Sequence, residues 1–97
     1  MIKVINLLDV NKEYIICRLS NNEIKKIYLA PLIVKHRHLK GIEKMEDDTY
    51  VKLAAIGMFG EIFWPETIIN DEGDKWNYDI SPEYVQYEGE SLVSEVV

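Results

Sequence analysis

The sequence predicts an α+β fold: a mainly antiparallel sheet of four to five strands, one short helix packed on a face, and an acidic C-terminal extension. Three observations favour this class. Apolar, β-branched runs alternate with polar turns over residues 1–29. A proline then opens a stretch with helical spacing, and two apolar runs around a glycine-flanked turn follow it.

The first strands predict a three-stranded meander. Residues 2–8, 14–19 and 24–29 are rich in the β-branched side chains that pleated strands prefer. The second of these runs is almost continuously apolar, which is typical of a central strand. The turn at residues 20–23 contains two asparagines, and asparagine tolerates left-handed backbone conformations better than most residues.

One short helix is predicted over residues 31–39. Pro31 suits the first turn of a helix, and the apolar residues after it recur near helical spacing. Gly41 is expected to cap the C-terminal end of this helix. Asp47 and Asp48 are expected to cap a further single turn.

Residues 51–65 predict a β-hairpin in which two apolar runs flank a central dipeptide. Gly57 and Gly60 are expected to supply the positive φ angles that short hairpin loops need. Pro65 has no amide donor, so we expect it to end the ladder of hydrogen bonds. Residues 68–69 then predict one more short edge strand.

Length and charge predict one domain over residues 1–80 and an acidic extension over residues 81–97. The net charge is −6, and it is unevenly distributed. From residue 66 onward there are nine acidic residues against one cation, Lys75. Such a surface repels nucleic acid and favours a basic protein partner. The alternative interpretation is that these acids only solvate a tail.

The lone cysteine and the absence of long apolar runs predict a cytoplasmic protein. Cys17 lies in an apolar run, where a small buried side chain is expected, and a single cysteine allows no disulfide within the chain. We expect no signal peptide, because a basic start followed by a long apolar core is missing. No apolar run approaches the roughly 20 residues that span a bilayer, so no membrane partner is expected.

Over residues 2–80, the order of elements and three short motifs resemble the bacterial family called domain of unknown function 2442. The motifs are Leu29-Ala30-Pro31-Leu32-Ile33, Asp48-Thr49-Tyr50-Val51 and Gly60-Glu61-Ile62-Phe63-Trp64-Pro65. Two departures are Asn22-Glu23, where the family has Asp-Gly, and Glu66-Thr67 after the Trp-Pro pair. The resemblance implies a small α+β protein often encoded beside a toxin-like partner. It implies a protein-binding role and supplies no catalytic residue.

The one basic cluster predicts a patch formed by Lys35, Arg37 and Lys40. Such a patch can bind phosphates or a carboxylate-rich partner, and its alternative interpretation is the polar face of a short helix. His36 and His38 are two residues apart and would point to different sides of a helix, unlike metal-binding pairs. We therefore expect no metal site and no cofactor.

The acidic, aromatic segment near the C-terminus is the predicted partner-binding surface, whereas Trp64 is expected in the core and Trp76 is also a core candidate. Aromatic side chains rimmed by acids are typical of protein interfaces. The candidate residues are Trp76, Tyr78, Asp79, Glu83, Tyr84, Tyr87 and Glu88.

Together these features predict a non-catalytic protein-binding module, an antitoxin-like or regulatory protein that binds a basic partner and can also form a homo-oligomer. An enzyme is not expected, since the serines lack a histidine at an interpretable distance and phosphate-binding glycine loops are missing. The alternative is an acidic inhibitor that mimics nucleic acid and occupies a nuclease or a phage-defence (CRISPR-type) effector. Direct nucleic-acid binding through the basic patch is disfavoured by the net acidity.

Overall fold

The computed structural model describes residues 1–92 and shows an α+β fold, which confirms the predicted class. The first sheet has four antiparallel strands in the order β1, β2, β3, β7. Their bounds are Val4–Val10, Tyr14–Leu19, Ile24–Tyr28 and Glu90–Ser91. The second sheet contains β4 (Ala55–Ile56), β5 (Ile62–Ile69) and β6 (Lys75–Ile80) in that order. The predicted hairpin thus belongs to a second sheet and does not extend the first.

The predicted meander is confirmed, with β2 between its two neighbours. Its inward side chains Ile15, Cys17 and Leu19 are fully buried, because alternate residues of a strand share one face. Asn22 has a φ of 72°, as the turn chemistry predicts. β1 begins later than expected and continues to Val10.

The predicted helix exists as α1, Leu29–Lys35, but both of its predicted ends are wrong. It begins before Pro31, because the Leu29 amide donates to the carbonyl of Glu13 and Leu29 itself is buried. It ends at Lys35, and residues 36–40 form turns. Gly41 does not cap this helix; with φ +107° it precedes a 3₁₀ helix, Ile42–Glu46.

The short helix α2, Asp48–Val51, follows the 3₁₀ helix, and Asp47 caps it as predicted by accepting from the Thr49 amide at 3.0 Å. This helix takes up the first part of the predicted hairpin, so β4 has only two residues. In the hairpin turn, Gly60 has a φ of +79°, but Gly57 does not have a positive φ, which corrects the prediction for Gly57.

Pro65 does not end its strand, which corrects the prediction of a broken ladder. β5 continues to Ile69 through a bulge between Trp64 and Ile68, where the missing amide of Pro65 does no harm. The predicted edge strand at residues 68–69 forms the last two residues of β5. Glu66 adopts a φ of 54° in the bulge, and Thr67 turns inward and is fully buried.

The two sheets and the helices share one core. Trp64 is fully buried, and its indole N–H donates to the Val51 carbonyl at 2.8 Å. The other buried apolar residues include Val4, Ile27, Leu29, Leu32, Ile42, Met45, Ile62, Tyr78, Ile80 and Val85. Cys17 is buried as predicted, and burial raises the pKa of its thiol to about 11. Trp76 is 60% exposed, so the alternative interpretation that places it in the core is wrong.

Residues 81–92 form α3, Pro82–Glu88, and the short strand β7. Ser81 caps α3, since its hydroxyl accepts from the Tyr84 amide at 3.1 Å. β7 pairs with β3, and Val85 of α3 is fully buried in the shared core. The predicted boundary at residue 80 falls at the link between β6 and α3; residues 93–97 of the predicted extension lie outside the described residues. No helix in residues 1–92 has the length and apolarity needed to cross a membrane.

Candidate protein-binding surface

α1, β6 and α3 meet around an open groove of about 260 Å³, which we call the mixed-charge groove. Its residues come from the end of α1, from β6 and from the start of α3. They are Leu32, Lys35, His36, Tyr78, Asp79, Ile80, Ser81 and Tyr84. The groove therefore joins one lysine of the predicted basic patch to three of the predicted partner-binding residues.

His36 and Tyr78 form a hydrogen-bonded pair in this groove. The His36 Nδ1 and the Tyr78 hydroxyl lie 2.7 Å apart, and the rings meet edge to face. Burial is the main cause that raises the pKa of Tyr78 to about 12, and the neighbouring Tyr84 and Asp79 add to it. Burial, followed by the charges of Lys35 and His38, lowers the pKa of His36. Both groups are thus favoured in their neutral forms, and the tautomer of the imidazole decides which of the two donates.

The raised pKa of Tyr78 predicts a loss of stability at alkaline pH. Above pH 10.0, its ordinary pKa, the phenol ionises in the unfolded chain but stays protonated in the folded one until about 12. The unfolded state then binds fewer protons, so the free energy of unfolding falls as pH rises through this window. Two pKa units correspond to a loss of about 2–3 kcal/mol.

Urea denaturation between pH 9 and 12 measures this loss, and Tyr78→Phe is the matched variant. Wild type should lose more stability across the window than Tyr78→Phe, because the variant lacks the phenol. Both proteins keep the separate contribution of Cys17, whose pKa is also raised. Equal pH slopes for the two proteins would contradict the role assigned to the Tyr78 phenol.

A second concavity, which we call the acidic pocket, lies beside the groove and has a volume of about 380 Å³. It is lined by Met1, Phe59, Glu61, Asp79, Ser81, Pro82 and Glu83. The Phe59 ring is 67% exposed, and Glu61 is held in place by accepting from the Phe59 amide at 3.0 Å. Asp79 and Ser81 line both concavities. Three carboxylates and one exposed aromatic ring therefore share this pocket.

Pairing between β5 and β6 explains how the acidic pocket forms. Ile62 pairs with Ile80, so the residues just before β5 and just after β6 lie at the same end of the sheet. Phe59 and Glu61 of the hairpin turn thereby come beside Glu83 of α3. Sequence reasoning missed Phe59 and Glu61; the signal was the tight turn, which leaves two apolar side chains at its tip.

The structure divides the predicted partner-binding residues into separate places. Asp79 and Glu83 line the acidic pocket, whereas Tyr78 and Tyr84 line the groove. Trp76, Tyr87 and Glu88 are exposed and line neither concavity. Side chains alternate along β6, so Trp76 lies on the face of the buried Tyr78, opposite Asp79.

The predicted basic patch lies on the basic segment, which we define as residues 35–40. Lys35 is the last residue of α1, while Arg37 and Lys40 lie in the turns that follow, and all three are exposed. The interpretation as one helical face is wrong for Arg37 and Lys40, because the helix ends before them.

Ion pairs do not involve the candidate residues within the described chain. In residues 1–92 the pairs are Lys25 with Glu23 at 3.6 Å and Lys52 with Asp48 at 2.9 Å. No three His, Cys, Asp or Glu side chains of these residues are placed to hold a metal ion. Asp79 and Glu83 of the acidic pocket and the cations of the basic segment thus form no ion pair within residues 1–92.

Comparison of the chain with family models, curated proteins and solved structures found no match. The resemblance to domain of unknown function 2442 stays a prediction.

Proposed function

We propose that this chain is a non-catalytic protein-binding module, an antitoxin-like or regulatory protein whose acidic pocket binds a basic segment of a partner protein. The observation that supports this proposal is the composition of the pocket. Phe59 offers an exposed ring face, and Glu61, Asp79 and Glu83 surround it with carboxylates.

These groups are the ones that bind a lysine or arginine side chain. An ammonium or guanidinium group is attracted to the face of an aromatic ring and donates charge-assisted hydrogen bonds to carboxylates. Asp79 and Glu83 have no ion-pair partner within residues 1–92, so binding does not first require an internal pair to break. The exposed carboxylates would also speed the encounter with a positively charged partner.

The exposed aromatic residues outside the pocket supply the apolar part of the proposed contact. Tyr87 is 80% exposed on α3 and Trp76 is 60% exposed on β6. Large rings of this kind contribute much of the affinity of protein interfaces when a partner covers them.

A defined cationic probe tests the pocket. We expect a fluorescently labelled oligo-arginine peptide to bind wild type and an oligo-glutamate peptide not to bind, as measured by fluorescence anisotropy. Asp79→Asn combined with Glu83→Gln should weaken binding of the cationic peptide by about tenfold or more. Phe59→Ala should weaken it by a smaller factor, because it removes the ring face and no charge.

A matched control separates the pocket from net charge. Glu46→Gln combined with Asp71→Asn removes two exposed carboxylates away from the pocket. This control should change binding far less than the pocket variant, because salt screens distant exposed charges. Equal weakening by the two double variants would show that the peptide senses only overall charge, and the proposal would then fail.

A further inference from the structure

The mixed-charge groove lies between two sets of exposed charges of opposite sign. Lys35 lies at the groove and begins the basic segment, which continues with Arg37. Asp79 lines both the groove and the acidic pocket, and Glu83 lies further into that pocket. None of these four side chains forms an ion pair with another residue of the described range 1–92.

We propose that the basic partner of the acidic pocket is a second copy of this chain. In such a dimer the basic segment of each copy binds the acidic pocket of the other, across a two-fold axis at the mixed-charge groove. This inference rests on the proposed function, because the same acidic pocket is the receptor in both.

Two-fold symmetry makes a surface of this kind self-complementary. In an isologous contact, the same surface of both copies meets, so every contact occurs twice. A surface with only one sign of charge repels its copy, whereas one with positive and negative sides attracts it. Lys35 and Asp79 both lie at the groove and meet this requirement. A two-fold axis that runs between them sets Lys35 of one copy opposite Asp79 of the other.

Exposed apolar side chains at both ends of the contact would add burial to the charge attraction. Val34 precedes the basic segment and is 65% exposed, and Phe59 of the acidic pocket is 67% exposed. In the proposed dimer Val34 of one copy approaches Phe59 of the other. Burial of such side chains favours association, because apolar surface leaves water.

Charge reversal distinguishes a contact between two copies of this chain from binding to a different protein. The first variant, Lys35→Glu with Arg37→Glu, makes the basic segment acidic, and the second, Asp79→Lys with Glu83→Lys, makes the acidic pocket basic. Each variant alone sets like charges against each other at the contact, and we expect the dimer to weaken by about tenfold or more. All four residues are exposed, so the core is unchanged.

The decisive sample is the equimolar mixture of the two variants. Its mixed dimer again pairs opposite charges at both symmetric contacts, so sedimentation equilibrium should show dimers in the mixture and monomers in each variant alone. Wild type should dimerise at about 0.05 M salt and dissociate at about 0.5 M, because salt screens these exposed charges.

Control variants match the change in net charge elsewhere on the surface. Lys12→Glu with Lys75→Glu matches the first variant, and Glu46→Lys with Asp71→Lys matches the second. Both should dimerise like wild type, and circular dichroism should show that every variant is folded.

Three results would overturn the inference. One is a monomeric wild type at low salt that still binds the oligo-arginine peptide, which would leave the proposed function intact. Another is a wild-type dimer that persists in both reversal variants, which would place the contact on another face. The last is a mixture that stays monomeric although each variant is folded. Failure of both peptide binding and dimerisation would overturn the proposed function as well.

Discussion

Trp64→Ala is expected to destabilise the folded protein by about 3–5 kcal/mol, the cost of truncating a large core side chain. Trp64 is fully buried, with 0% of its surface exposed to solvent. It packs beside the Tyr78 ring with 5.9 Å between the ring centroids. Its removal leaves a cavity where both sheets and α2 meet. Since small domains are stable by only about 5–15 kcal/mol, this loss is a large fraction of the total free energy of unfolding.

Urea denaturation followed by circular dichroism measures this effect, and Trp76→Ala is the matched control. Trp76 is 60% exposed, so its truncation should change the free energy of unfolding by less than about 1 kcal/mol. Trp64→Phe should fall between the two, because it keeps most of the buried area but loses the hydrogen bond to the Val51 carbonyl. A loss in Trp64→Ala no larger than in Trp76→Ala would contradict the central position of Trp64.

The meander and the caps of the short helices could be predicted from sequence because their causes are local. Alternation of side chains determines which face of β2 is buried, and Asn22 accepts the turn conformation within four residues. Asp47 and Ser81 cap helices through amides two and three residues away. Each of these features depends on residues that are close to one another in the sequence.

The path of β5 could not be predicted, because distant residues decide it. Pro65 locally favours the end of a strand, yet its carbonyl accepts from the Tyr50 hydroxyl at 2.9 Å. The same hydroxyl lies 2.6 Å from the Thr67 hydroxyl, and the Lys44 ammonium lies near the Thr67 carbonyl. These contacts hold the bulge and let β5 continue. The end of β6 that carries Trp76 then lies beyond the core.

The candidate site was predicted in part for the same reason. The acidic composition of the segment that contains Asp79 and Glu83 predicts a basic partner. Their association with Phe59 and Glu61 depends on the pairing of Ile62 with Ile80, a long-range register that no local pattern reveals.

Gly41→Ala is expected to destabilise the protein by about 3 kcal/mol or more, because it combines backbone strain with a collision. Gly41 has a φ of +107°, a conformation that residues with a side chain rarely adopt. A Cβ there would also overlap the carbonyl oxygen of Thr67 in the bulge. The backbone around Gly41 would have to move away from β5, although the two segments are joined there by the Ile69 amide, which donates to the Lys40 carbonyl at 2.9 Å.

Gly73→Ala separates the two causes. Gly73 has a φ of +87°, but a Cβ there would meet no atom within 4 Å, so only the backbone cost of about 1–2 kcal/mol applies. Urea denaturation should therefore rank wild type above Gly73→Ala, and Gly73→Ala above Gly41→Ala. Equal losses in the two variants would mean that the bulge moves aside freely. A larger loss for Gly41→Ala would show that close packing of Gly41 against Thr67 supports the continuous β5, and through it the end of the sheet that forms the acidic pocket.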